Sequence, residues 1–287
     1  MAKAVTKQRF GNSVVDEQHQ DFQILARIRA EVERKAGGGD RLRLELPNLI
    51  KNAVDFVIDP VRTGRTSMEE LDKVEKTFIG LKVEHFLRDW LDVPKGLHRD
   101  LQIDGLEVDI KNTIGTTWMI PLETYRDEEP CLLIATAKFD GRCWLGLVVA
   151  REAYLGGENR DRKRSITEAG RRNILWLVED VPYPPSRWAG INMTRFRALR
   201  CIKGGQKRAA PFFRENVGRV VHRSILEALL HDQYDYMKRV RGNGGARDDL
   251  EPEGIAVLSG VYDRDKAEAL GICLAKDEFV AVRIAFF

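Results

Sequence analysis

Residues 14–35 (VVDEQHQDFQILARIRAEVERK) place Phe22, Leu25, Ile28 and Val32 at the three-to-four spacing of one helix face, and Gly37-Gly38-Gly39 ends the run. A second helix is predicted over 46–57, and Arg62 to Arg65 reads as a turn. Thr66 with Glu69, or Ser67 with Glu70, forms a capping-box pattern that opens a long helix running to about Trp90. Its predicted buried stripe is Leu71, Val74, Phe78, Leu81 and His85, with Glu84 on the shoulder of that stripe.

The period then changes to two. LQI (101–103), the turn Asp104-Gly105 and LEVDI (106–110) read as a tight hairpin. CLLIATAK (131–138) and RCWLGLVVA (142–150), joined at Asp140-Gly141, are apolar enough to be central strands. A helix is predicted from about Thr167. Pro182, Pro184 and Pro185 in VPYPPSRW mark a linker, which gives a first domain over 1–175, a linker over 176–188 and a second domain over 189–287. Asn216 to Arg239 carries Val217, Val220, Val221, Ile225, Leu229 and Tyr236 on a helical pattern, continuous or broken once, and GIAVL (254–258) and FVAVRIAF (279–286) read as closing strands. The fold class is α/β (α+β): a mixed sheet flanked by helices, followed by a module of winged-helix or helix-turn-helix type.

Charge sharpens that division. Arg187 to Arg247 holds fourteen Lys/Arg against four Asp/Glu, whereas residues 1–171 hold 28 against 29. A basic stretch beside a balanced region points to a polyanion-binding module, although a solvated charged face has the same composition. No run approaches the roughly 18 apolar residues of a membrane span, and the N-terminal residues lack a signal-peptide apolar region, so a cytoplasmic protein without membrane contact is expected. Cys131, Cys143, Cys201 and Cys273 show no paired spacing and read as free thiols of a reducing compartment. The five histidines form no H-x-x-x-H pair.

Candidate chemistry centres on Glu84, Asp100, Asp109 and Lys111. Asp109 and Lys111 are two apart on a strand and so share a face. An acid and a lysine in that relation also occur on ordinary solvated strands, and Glu107, on the same face, is given no role. With two further acids upstream, however, the set can hold Mg²⁺ through Asp109, Asp100, Glu84 and the carbonyl of Ile110, and so cut a phosphodiester bond. Lys111 would position water or stabilise charge on the phosphate.

VEKTFIGLKVEHF (74–86), the spacing to Asp100 and GLEVDIK (105–111) together resemble the NaeI type of restriction endonuclease. TGR (63–65), ENRDRKRSITEAGR (158–171), MKRVRGNGGAR (237–247) and EPEGI (251–255) extend the resemblance, in the same order, over most of 60–260. The resemblance implies a homodimer that cleaves double-stranded DNA with Mg²⁺. It implies an N-terminal PD-(D/E)xK nuclease domain and a C-terminal helix-turn-helix-like domain serving recognition or allosteric activation by a second DNA copy. By position it puts the acidic metal site on Glu84, Asp100 and Asp109 and the active-site lysine on Lys111. The segment 112–130 departs from the family, so the recognised DNA sequence does not transfer.

Candidate DNA contacts are Lys238, Arg239, Arg241 and Arg247 around the glycine-rich loop, and Arg162, Lys163 and Arg164 beside the active-site region. Trp118, Trp144 and Trp176 are expected in the core. Three other readings stand beside a site-specific endonuclease: a methylation-dependent endonuclease, a repair nickase on the same fold, and a non-catalytic DNA-binding regulator.

Overall fold

A computed structural model describes residues 10–137 and 141–284. Its contacts divide into two compact units: one holds residues up to Val57 together with Met68–Pro185, the other Ile58–Ser67 together with Ser186 onward.

The first unit is built on a five-stranded mixed sheet of order β1-β2-β4-β5-β8, with β1 at Leu101–Ile103, β2 at Leu106–Thr113, β4 at Pro130–Ala137, β5 at Arg142–Val149 and β8 at Leu175–Pro182. β2 and β4 run parallel, with Asp109 opposite Cys131 and Lys111 opposite Leu133; the other pairs are antiparallel. Asp104 and Gly105 both adopt positive φ, so the β1–β2 connection is the tight two-residue turn that the Asp-Gly pair favours. On one face lie α1 (Phe22–Ala36), α2 (Gly39–Val57) and α4 (Lys73–Leu91), which meet β5, β8 and β2 respectively. The other face carries the core of Phe10, Trp118, Trp144, Cys131, Leu133 and Tyr125, covered by α5 (Leu122–Arg126) and a small sheet of β3 (Met119–Ile120), β7 (Arg164–Ile166) and β6 (Leu155–Glu158). Alternation along β4 sends Cys131 and Leu133 one way and Leu132 and Ile134 the other, so this strand is buried on both sides. Trp118 and Trp144 are core residues and Trp176 packs against them; Cys131 and Cys143 are buried free thiols.

The second unit packs α6 (Met193–Arg200), α7 (Gln206–Glu215) and α8 (Arg223–Leu229) with a three-stranded antiparallel sheet, β10 (Ile255–Ser259), β11 (Glu278–Arg283) and β9 (Val220–His222). Single-turn α3 (Pro60–Thr63) and short helices α9 (Ala246–Leu250) and α10 (Arg264–Ala269) complete it. Phe196 meets Trp188 and Phe212 edge to face, and the buried Arg208 is held by the Leu229 carbonyl and Asp232. No helix among the described residues is long and apolar enough to cross a membrane.

The structure corrects five expectations. The capping box that opens α4 is Asp72 with Glu75, not a pair at 66–70, because each side chain accepts the other's backbone N–H at 2.9 Å. The buried face of α4 is Ile79, Val83, Leu87 and Leu91, while Val74, Phe78 and Leu81 are exposed. This helix is apolar on two sides, and the side packed against α2 and β2 prevails. Residues 176–182, expected as linker, form the edge strand β8, which tolerates Pro182 at its end; the change of unit falls at Pro185/Ser186. From Thr167 there is only a 3-10 turn, Gly170–Asn173, and the helical run expected over 216–239, continuous or broken once, is instead divided after Gly218 (φ 79°) into the strand β9, the short α8 and a 3-10 turn at Tyr236–Arg239. The expected Asp140-Gly141 turn lies partly outside the described residues, as does the end of the last strand.

Candidate active site

β2 passes from the hairpin turn into the middle of the sheet, which buries Asp109 (5% exposed) while Lys111 stays half-buried at the strand's far end. Two residues apart on the pleat, they face each other: Lys111 Nζ is 2.5 Å from Asp109 Oδ1 and donates to the Ile110 carbonyl at 3.1 Å. Asp100, just before β1, accepts the Ile110 backbone N–H at 2.8 Å and hydrogen-bonds the Asp109 carboxyl. α4 delivers the fourth group. It lies over β2 at Gly80, where a Cβ would touch the Asn112 side chain, and one turn later Glu84 meets Asp100. All four sequence-derived residues therefore stand in one cluster.

Three carboxyl groups in a half-buried space cannot all ionise cheaply. Burial, the hydrogen bond to Asp109 and the neighbouring Glu84 and Asp109 charges push Asp100 up to about 7, and burial raises Glu84. Asp109 moves the other way: burial opposes ionisation, but hydrogen bonds from Asp100, Lys111 and Thr124 together with the Lys111 charge hold it below the ordinary range. The cluster thus contains one firm carboxylate and two acids competing for a proton.

No group of three or more His, Cys, Asp or Glu among the described residues is spaced to enclose a metal ion as it stands. The donor set still suits Mg²⁺, which takes oxygen ligands and keeps several waters, so two carboxylates and the Ile110 carbonyl suffice. Crowded acids with raised proton affinity are what a divalent cation relieves.

Four supporting residues were assigned no role from the sequence. Thr124 of α5, fully buried, donates to Asp109 Oδ2 at 2.7 Å and fixes the carboxylate's orientation. Glu107 accepts backbone N–H groups from Leu97, His98 and Arg99 at 2.8, 3.0 and 2.7 Å, so it ties down the loop that ends in Asp100. Gly96 lets that loop close over Glu107, since a Cβ there would sit 2.5 Å from the carboxylate. Arg99 joins α5 to the cluster through Glu129, Asp127 at 3.6 Å and the Glu123 carbonyl at 3.0 Å. The alternation that placed Glu107 beside Asp109 was a signal for it; Thr124 and Arg99 carried none.

A profile of the restriction endonuclease NaeI family matches residues 16–287. The chain belongs to that family. Type II restriction enzyme NaeI from Lentzea aerocolonigenes is 34% identical to it over 273 residues, an alignment that spans 91% of this chain and 83% of that protein.

The NaeI-family chain distributes its basic candidates unevenly. Arg162, at positive φ, and Lys163 are exposed on the β6–β7 turn. Arg164 is instead engaged internally, paired with Glu158 at 3.2 Å and Glu152 at 3.5 Å and stacked over Tyr125. In the second unit Lys238, Arg239 and Arg241 are exposed; Lys238 lies 4.0 Å from Asp235 and Arg239 bonds Gln233. Arg247 is half-buried and paired with Asp263 at 2.9 Å. Asn243 and Gly244 adopt positive φ, and Gly245 packs so tightly on the Arg241 carbonyl that a Cβ would overlap it.

Proposed function

We propose that this chain is a Mg²⁺-dependent, sequence-specific double-strand DNA endonuclease of a restriction system, acting as a homodimer. Its first unit would be the PD-(D/E)xK nuclease domain and its second a helix-turn-helix-like DNA-binding domain for recognition or allosteric activation. The observation that carries this reading is the Glu84–Asp100–Asp109–Lys111 cluster in a chain of the NaeI family. Bound to Asp109, Asp100, Glu84 and the Ile110 carbonyl, Mg²⁺ would supply a Lewis acid for the phosphoryl group and a water of lowered pKa. Asp109, held by Thr124 and Lys111, fixes the site's negative pole. Lys111 presents its ammonium beside that carboxylate, where it positions water and stabilises charge growing on the phosphoryl oxygens. The exposed Arg162, Lys163, Lys238, Arg239 and Arg241 supply sequence-independent affinity for the DNA backbone.

Incubation with Mg²⁺ and paired plasmids, one unmodified and one carrying 5-methylcytosine, tests the reading. Discrete linear fragments are expected from the wild-type protein, and Asp109→Asn should abolish them while DNA binding persists. Full cutting by Asp109→Asn would remove the site assignment; DNA binding without scission by the wild-type protein would make the chain a regulator.

A further inference from the structure

The second unit contains a cleft of about 460 Å³ between the segment 237–247 and strands β10 and β11 with their connection. Four cations line it, Arg223, Arg241, Arg247 and Lys276, and no Asp or Glu does. Two of the four are held in place from outside. Arg223 is fixed by the Tyr236 hydroxyl at 2.6 Å, and Arg247 by Asp263 at 2.9 Å, which leaves Arg247 Nε buried without a hydrogen-bond partner among the described residues. The Arg241 and Lys276 side chains make no hydrogen bond or ion pair among the described residues, so their charges are available to a ligand.

Cations alone describe a phosphate site, yet the cleft is larger than a phosphate and its floor is apolar. Val240 and Phe279, both buried, form part of that floor, and Tyr262, 80% exposed, stands at its edge. An exposed aromatic beside unpaired cations is the arrangement on which nucleic-acid bases stack. A purely anionic ligand would leave the floor and Tyr262 without a complement.

We propose that this cleft binds one nucleotide of a DNA strand, with its phosphate on Arg223, Arg241 and Lys276 and its base between Tyr262 and the apolar floor. The inference rests on the DNA-binding reading of this unit and deepens it: the unit would take hold of an unstacked nucleotide as well as the duplex backbone. Such a nucleotide comes from a duplex by extrusion, at a cost of a few kcal/mol, or from a single-stranded segment.

The test uses the full chain carrying Asp109→Asn, without metal, and measures binding of the dinucleotide pTpT, of inorganic phosphate, and of duplexes with and without one unpaired thymidine. pTpT should bind at least tenfold more tightly than phosphate. Tyr262→Ala should weaken pTpT by about 5- to 150-fold, the range of base–aromatic stacking, and leave phosphate binding unchanged. Tyr262→Phe should retain pTpT, and Lys276→Ala should weaken both ligands. A preference for the bulged duplex identifies extrusion as the source; equal binding of the two duplexes with pTpT retained identifies a single-stranded source. Equal affinity for pTpT and phosphate, or indifference of pTpT to Tyr262→Ala, overturns the proposal. Because no cleavage is read, its failure is distinguishable from failure of the endonuclease reading, which the plasmid assay decides.

Discussion

At the scale of single residues, Thr124 shows how a neutral side chain can fix the orientation of a buried carboxylate. Its hydroxyl is buried against Asp109 Oδ2. Thr124→Val keeps the shape and removes the donor, so the protein should lose about 1–3 kcal/mol of stability and need about 10- to 100-fold more Mg²⁺ for half-maximal cleavage. Metal titrations of cleavage check this, and an unchanged midpoint would reduce Thr124 to a packing residue. Asp100 gives a pH prediction whose sign follows from its raised pKa. Folded Asp100 keeps its proton up to about 7, whereas the unfolded chain releases it near 3.8, so the folded state binds more protons between those values. Its contribution is therefore fully present below about pH 4 and lost as pH rises toward 7. Asp109, shifted down, contributes in the opposite sense, and that part is lost only as pH falls below the ordinary carboxylate range. In EDTA, thermal unfolding of Asp100→Asn against wild type should show a growing advantage for the variant from pH 5 to 7.5; parallel curves would contradict the crowding of the three acids.

At the scale of elements, α4 decides where Glu84 stands. Its two apolar sides gave the sequence no means of choosing between them, and the stripe expected from Val74, Phe78 and Leu81 is the exposed one. The core face is set by Leu87 and its neighbours, so Leu87→Ala should cost about 2–5 kcal/mol in chemical denaturation, more than the roughly 1 kcal/mol expected for removing the cap with Asp72→Ala. The reverse order would mean that α4 packs by its other face. β2 behaved differently. Its alternation and the Asp-Gly turn fixed both register and face, so Asp109 and Lys111 were legible as a pair before any fold was known. Thr124 was not, because α5 lies in a segment of turn-forming polar residues whose approach to Asp109 depends on the parallel β2–β4 pairing.

At the scale of the whole molecule, the described residues of one chain hold one such cluster, so on the endonuclease reading proposed above double-strand cleavage at a palindrome calls for a second copy. Val74, Phe78 and Leu81 line one exposed side of the helix that bears Glu84, an apolar stripe available to that copy. On the homodimer reading proposed above, Phe78→Asp with Leu81→Asp should shift the protein from dimer to monomer in analytical ultracentrifugation and turn linear plasmid products into nicked circles. A dimer that survives both changes would place the interface elsewhere. The sequence by itself determined the strand pair, the turn, Asp109 and Lys111 as a pair on one strand face, and the concentration of positive charge after Arg187, because each rests on periodicity or composition within a short stretch of chain. Only the tertiary structure decided which side of α4 is buried, that 176–182 is a sheet edge, that Glu107 anchors the Asp100 loop, and that Tyr262 and Lys276 meet the 237–247 segment around one cleft. Those outcomes join residues distant along the chain, and their energies come from burial and from hydrogen bonds that exist only once the partners are packed together.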